Sequence, residues 1–402
     1  MAFTAEEIEK FRKETAGTKH VVHLNNAGSG LMPDVVTQAQ LDHIKLESEV
    51  GGYEAAALQA TVVQNCYELA AKLFHCKSSN IAFASSATDA FAKALSSIPF
   101  ERGDVILTDC DDYASNQIQF LSLQKRFGVK IVRINNATTG GVDLNDLEEK
   151  LKKYRPKLLA ITHIPTNSGL VQPVKQIAAI YRKHREQHQG TSWYVLDACQ
   201  SAGQLKLDVQ ELQCDFMSLT CRKFLRGPRG TGALYVSDAA LSAGLEPMFI
   251  DMRGAVWTEK DEYRPQATAI RFEDWEFAYS TLVGTAAAIE YCLSVGEEKI
   301  SDQIRFLSSG IREQLRALSG VIVLDRGTEL GGIVTFHVKK SDPKYIVTEL
   351  ARRKINVTPS YRTSGLIDYD SKGVEWSVRA SPHYYNTQGE IETFVSALKE
   401  IL

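Results

Sequence analysis

The chain has 402 residues, with 46 Lys+Arg against 49 Asp+Glu and a formal net charge of −3. That balance offers no electrostatic case for nucleic acid or an acidic membrane surface as the main partner. At 44% hydrophobic and 24% charged the composition is globular, and no apolar run approaches the ~20 residues of a membrane helix.

The N-terminal stretch MAFTAEEIEKFRKETAG is charged and amphipathic, without the apolar core of a signal peptide. Its apolar face needs a partner, so residues 1–22 are expected to pack with a small C-terminal domain. Seven scattered cysteines form no CxxC pair, and the nine histidines include no HExxH motif. A disulfide framework and a local metal signature are therefore not expected, and a cytoplasmic protein is.

From residue 80 a regular alternation begins. Apolar β-type runs occur at NIAFAS (80–85), DVILTD (104–109), KIVRIN (130–135), KLLAITH (157–163), SWYVLD (192–197), DFMSLT (215–220) and GALYVS (232–237). Helical patterns fall between them, at Thr88 to Ser97, Leu144 to Tyr154 and Val174 to Gln187. This pattern predicts an α/β large domain with a mostly parallel seven-stranded sheet covered on both faces. Ligands bind outside the carboxyl ends of such strands. Beyond Trp275 long helical patterns precede GVIVLD, GGIVTFHV and VEWSVRAS, with a helix from Pro343 to Lys354 inserted. The expected division is a large domain over 23–274 and a smaller α+β domain over 275–402.

Three strand ends carry residues with chemical potential. In SSATDAFAKAL (85–95) small residues open a helix, whose free Ala87 and Thr88 amides and Thr88 hydroxyl suit a phosphate; an ordinary helix cap has the same appearance. Asp197 ends an apolar strand, either as a cap or as an anion for a cationic ring nitrogen, with Gln200 one turn on. Lys223 follows the next strand by three residues in TCRKFLRGPRGTG. It is either a solvated basic turn or a Schiff-base lysine, with Thr220 and Arg222 beside it as phosphate ligands. The order of a phosphate cradle, a carboxylate and then a lysine 26 residues later is the set that pyridoxal 5′-phosphate requires.

The chain resembles fold-type-I pyridoxal-phosphate enzymes of the class-V aminotransferase group, which includes the cysteine desulfurases. The resemblance runs from HLNNAGSGLMP (23–33) to VRASPHYYNT (378–387). The family's D-x-x-Q falls on Asp197 and Gln200, the latter implied to bond the cofactor's phenolic oxygen. The family's S-G-H-K is TCRK here, which implies phosphate contacts for Thr220 and Arg222 and the Schiff base for Lys223. DYASN stands where the family has E-H-x-x-N, so Tyr113 takes the stacking role of a histidine. In HIPTNSGLVQPV the contact to the phenolic oxygen falls on Asn167 or Thr166. The intact R-x-S-x-x-x-Y-N-T run makes Arg379 the implied clamp for a substrate α-carboxylate, with Asn26 and Gly28 close by. Tyr53, Tyr361, Arg362 and His383 are further candidates for the substrate side-chain pocket.

Desulfurases carry a nucleophilic cysteine shortly before that arginine, and residues 358–379 contain none. LESEVGGYEAA (46–56), RKFLRGPRGTG (222–232) and WEFAYS (275–280) resemble the hercynylcysteine sulfoxide lyases of ergothioneine biosynthesis. The implied activity is β-elimination on a cysteine-derived amino acid or S-oxide, giving pyruvate, ammonia and a sulfur species. The alternatives are an aminotransferase or epimerase, or a non-enzymatic binding or regulatory module. A homodimer is implied by the resemblance alone.

Overall fold

In the computed structural model, residues 3–187 and 191–402 are described. Seven strands form one sheet in the spatial order Ile81–Ala84, Gly232–Val236, Phe216–Thr220, Trp193–Asp197, Leu158–Thr162, Val105–Thr108, Lys130–Arg133. Only Gly232–Val236 runs against its neighbours; the five strands from Phe216–Thr220 to the Lys130–Arg133 edge are parallel to one another. The central strands are buried along their whole length, as both-face coverage by helices demands. Alternate residues feed two cores. Leu107, Leu159, Ile161, Leu196 and Met217 face helices Ala60–Phe74, Leu144–Tyr154 and Val174–Gln187. Ile106, Leu158, Ala160, Val195 and Phe216 face helices Ala87–Ser96 and Ala114–Phe127.

The C-terminal domain is a four-stranded antiparallel sheet, ordered Val321–Val323, Val334–Val338, Trp376–Ala380, Thr358–Tyr361. Its core joins Phe336 and Val378 to Leu307, Ile311, Leu350, Phe394 and Leu398 from the covering helices. The expected division at 275 is displaced. Helix Tyr279–Val295 puts Leu282, Ala286, Ile289 and Cys292 into the large core, as do Ile300 and Ile304 of helix Glu297–Arg316. The small core begins at Leu307, so one continuous helix passes from one domain to the other. The N-terminal helix Ala5–Lys13 packs on the C-terminal half of the chain. Phe11 meets Tyr384 edge-on at 5.1 Å, and Arg12 pairs with Glu390 at 2.9 Å.

Two polar junctions hold the domains together. Arg312 and Asp325 form a fully buried pair at 2.8 Å, and Asp325 also accepts the Gly169 amide of the large domain at 3.2 Å. Gly169 is required there, since a Cβ would sit 2.2 Å from the Arg312 guanidinium. At the second junction, around a cavity of about 270 Å³, Asp111 of the large domain meets Asp368 and Lys372 of the small one. Burial first, and then Asp368, push the Asp111 carboxyl up to about 7 from an ordinary 3.8. A raised acid favours the fold when protonated, so its contribution is complete below its unfolded value and is lost as pH rises through about 7. Asp111→Asn keeps the balanced Asp368–Lys372 pair. The gap in thermal midpoint in favour of this variant should widen by several degrees between pH 4 and pH 8 in parallel melts.

Candidate active site

The parallel strands end at one edge of the sheet, and the chemistry gathers there. Asp197 is the last residue of its strand, and both of its oxygens are engaged. Oδ1 accepts the Cys199 amide at 2.9 Å and Oδ2 accepts the Asn116 side-chain amide at 2.9 Å. Lys223 stands in the turn after Phe216–Thr220 and is 9% exposed. Among the described residues its amine has no ion pair and no hydrogen bond. Burial pulls its pKa down, against the opposing pull of Cys199 and Asp197 and with the help of Arg222 and Arg379. An amine so placed loses its proton more readily than a surface lysine. Its turn is held by the Arg226 amide on the Lys223 carbonyl at 2.9 Å, and by Gly30, where a Cβ would lie 2.6 Å from that carbonyl.

Helix Ala87–Ser96 begins at the same edge. Ser86 caps the Asp89 amide at 3.1 Å, which leaves the Ala87 and Thr88 amides without an intrahelical acceptor. Gly232 packs against this start; a Cβ there would lie 2.6 Å from the Ala87 nitrogen. A cavity of about 90 Å³ is lined by Ala87, Thr88, Tyr113, Thr166, Asp197, Gln200, Thr220, Arg222 and Lys223. Tyr113 is 38% exposed, and Arg222 donates to the Gly28 carbonyl. Arg379 donates to Thr166 Oγ1 at 2.6 Å and to Asn25 Oδ1 at 3.4 Å, while its buried Nε has no partner. It forms no ion pair among the described residues, and burial pushes it down to about 10.

These residues fit pyridoxal phosphate. The open helix start matches the phosphate, Asp197 the ring nitrogen and the unpaired Lys223 the aldehyde. Gln200 Oε1, buried without a partner, lacks the contact that a ligand would supply.

One open pair is narrowed and one expectation is corrected. Asn167 is turned away from the cavity: it donates to the Ser364 carbonyl at 3.0 Å and accepts from Ser360 at 2.7 Å. Thr166 takes the site position, bonded to both Gln200, at 3.0 Å, and Arg379. Asn26 is spent on structure, donating to the Ser381 carbonyl at 2.8 Å and accepting from the Tyr385 hydroxyl. Its neighbour Asn25 reaches Arg379 instead, over Gly28, where a Cβ would lie 2.6 Å from Asn25 Oδ1.

Of the side-chain pocket candidates, Tyr53 lines a separate groove of about 930 Å³. Arg362 pairs with Asp370 at 2.9 Å. His383 is buried against the Phe224 carbonyl at 2.9 Å, and burial holds it well below the ordinary histidine range. Tyr361 is 37% exposed, at the end of strand Thr358–Tyr361. Asn116 and Asn25 are the residues missed; each lies inside a motif already singled out, DYASN and HLNNAG.

The one-residue distinction at 166–167 is testable. Thr166→Val removes the acceptor shared by Gln200 and Arg379, and should weaken binding of an amino acid about ten-fold in titration calorimetry. Asn167→Ala should instead lower the thermal midpoint while moving affinity much less.

Residues 21–394 match the family model for aminotransferase class-V. A probable cysteine desulfurase of Pyrococcus abyssi is 27% identical over 404 residues, covering 98% of this chain and 97% of that protein. The apo structure of a cysteine desulfurase from Thermococcus onnurineus NA1 superimposes with a TM-score of 0.88 at 26% identity, over 100% of this chain and 99% of the other. A cystine C–S lyase solved with its product cysteine persulfide gives a TM-score of 0.84 at 24% identity, over 96% of this chain and 99% of the other, a likeness of fold. With that family model spanning nearly the whole chain, and a cavity whose residues fit the cofactor, the chain belongs to the class-V aminotransferase family of fold-type-I, pyridoxal-phosphate-dependent enzymes.

Proposed function

We propose that this chain catalyses β-elimination at a cysteine-derived amino acid or its S-oxide, releasing pyruvate, ammonia and a sulfur species. The observation that carries this reading is an unpaired, buried lysine facing Asp197, in a site whose bordering thiol, Cys199, is held well above the ordinary cysteine range. When bound, the cofactor supplies an electron sink for the bond broken at the substrate Cα.

The chain's own residues do the rest. Ala87, Thr88, Thr220 and Arg222 would hold the cofactor's phosphate, and Tyr113 would cover its ring. Asp197 would favour a proton on the ring nitrogen, and Gln200 with Thr166 would orient the phenolic oxygen. Arg379, with its unpartnered Nε, grips the substrate carboxylate through a two-pronged guanidinium contact. Lys223 Nζ, its pKa lowered by burial, takes the Cα proton.

A second reading, cysteine desulfurase, is favoured by the relatives. It needs a thiolate that can reach the substrate sulfur. Cys199 borders the cavity, but burial and then Asp197 push its thiol well above the ordinary value. Cys221 is fully buried and pushed up to about 11. The 358–379 segment presents Ser360 and Ser364, tied to Asn167, where a mobile cysteine would be needed. The motifs shared with hercynylcysteine sulfoxide lyases support an S-oxide as the substrate form. An aminotransferase or epimerase would use the same site, and a keto-acid exchange assay run beside a pyruvate-coupled assay separates these fates.

The reading includes a homodimer. Met248, Phe249, Met252 and Trp257 are 53%, 86%, 68% and 78% exposed within one short stretch, an apolar surface that a second copy would cover. Light scattering after gel filtration checks the mass. It also includes a cytoplasmic location, supported by seven unpaired cysteines. No helix among the described residues is long and apolar enough to cross a membrane.

Protein loaded with pyridoxal phosphate should be yellow, and Lys223→Ala should lose that band while its circular dichroism is unchanged. A wild-type protein that cannot be reconstituted ends the proposal. Arg379→Lys keeps the charge and loses the fork, so KM should rise about ten-fold or more while kcat falls less. The double variant Cys199→Ala/Cys221→Ala should keep most of its pyruvate-forming turnover. Stoichiometric alanine from cysteine, with a persulfide mapped to either residue, would replace the lyase reading with the desulfurase one.

A further inference from the structure

A second carboxylate lies behind Asp197. Asp112 is 8% exposed, and no lysine, arginine or histidine pairs with it among the described residues. It accepts four close hydrogen bonds: Thr162 Oγ1 at 2.6 Å, the Tyr113 amide at 2.7 Å, Gln117 Nε2 at 2.8 Å and Asn116 Nδ2 at 2.9 Å. The same Asn116 nitrogen donates to Asp197 Oδ2 at 2.9 Å. Its two N–H groups thus serve two carboxylates, and a flipped amide would set its oxygen against both of them. Thr162 is the register partner of Asp197 across the parallel strands, so Asp112 also braces the neighbouring strand end.

The charged surroundings of Asp112 are mostly acidic. Asp109 and Asp111 lie on the same turn, and Asp197 stands beyond Asn116. Arg133 reaches Asp112 only through Gln117, at 2.8 Å. A negative charge held this close to Asp197 raises the proton affinity of whatever Asp197 faces. Burial first, and then Asp197, push Asp112 up to about 6, against the hydrogen bonds from Thr162, Gln117 and Asn116.

We infer that Asp112 is a positioning residue for Asp197. Acting through Asn116 and Thr162, it presents one fixed carboxylate to the cofactor's ring nitrogen, and its own charge helps to keep that nitrogen protonated. This rests on the reading that the cavity holds pyridoxal phosphate.

The test loads the full chain with pyridoxal phosphate labelled with ¹⁵N in the ring and follows that resonance at pH 8. Wild type should show a protonated ring nitrogen. Asp112→Asn should move the signal toward the unprotonated position and lower kcat about ten-fold, with KM for the amino acid changed less than about two-fold. Asp112→Glu should restore the wild-type resonance. Asn116→Ser, which keeps Asp112 and breaks the bridge, should shift the signal in the same direction and serves if Asp112→Asn does not fold. A folded, loaded Asp112→Asn protein with a wild-type ¹⁵N signal overturns the inference, as does an unshifted signal in Asn116→Ser. Failure of the wild-type chain to bind the labelled cofactor instead removes the underlying reading of the site.

Discussion

Much of this molecule converges on one guanidinium. Arg226 is 2% exposed and has no ion pair among the described residues. It donates to the Leu31 carbonyl at 2.7 Å, to Thr15 at 2.6 Å and to the Tyr384 hydroxyl at 2.5 Å. The rings of Tyr385, Tyr384 and Tyr291 surround it at 4.6, 5.1 and 5.6 Å. Burying an unpaired charge is costly; hydrogen bonds from a planar fork and aromatic faces offset that cost here. Arg226 adopts a left-handed backbone, φ 62°, and its amide caps the carbonyl of Lys223. One side chain therefore fastens the N-terminal segment, the residues after the last strand and the turn carrying the site lysine. The buried amine owes its placement to this clamp as much as to the sheet.

The same economy governs the domain junction. Asn167, in the turn that follows strand Leu158–Thr162, holds both ends of the Ser360–Ser364 turn, and Lys372 reaches back to the Asn167 carbonyl at 3.4 Å. The segment that in a desulfurase would carry a thiol to the substrate is here tied down at several points. Rigidity in that segment supports the proposed elimination, in which Lys223 moves the proton and no thiol of the protein captures the sulfur. The raised thiols of Cys199 and Cys221 agree with that proposal.

Much of this was legible in the sequence, and the reason is local. Strand–helix alternation, the start of helix Ala87–Ser96, Asp197 at a strand end and Lys223 in the next turn are each written in a few adjacent residues. Parallel strands then bring their ends to one edge without further instruction. Where the expectation failed, the missing information was a direction or a distant contact. Whether Thr166 or Asn167 faces the site depends on the phase of an irregular turn, which no periodicity encodes. The exchange of Asn26 for Asn25 has the same origin, because Ser381 and Tyr385, far along the chain, claim one of the two.

Helix Tyr279–Val295 was assigned to the wrong domain because it follows the last large-domain strand and precedes the small-domain helix without a break in pattern. Only its burial against the helices of the large domain reveals its allegiance. The bond from Asn116 to Asp197, through which Asp112 acts, joins residues 81 positions apart, a pairing that only the assembled sheet edge creates. The sequence by itself determined the sheet, the strand-end chemistry and the family, because these reside in short-range patterns of polarity and turn residues. The tertiary structure decided which of two neighbouring side chains faces the site, where one domain yields to the next and what holds Asp197 in place, because those are set by contacts between segments remote in the chain.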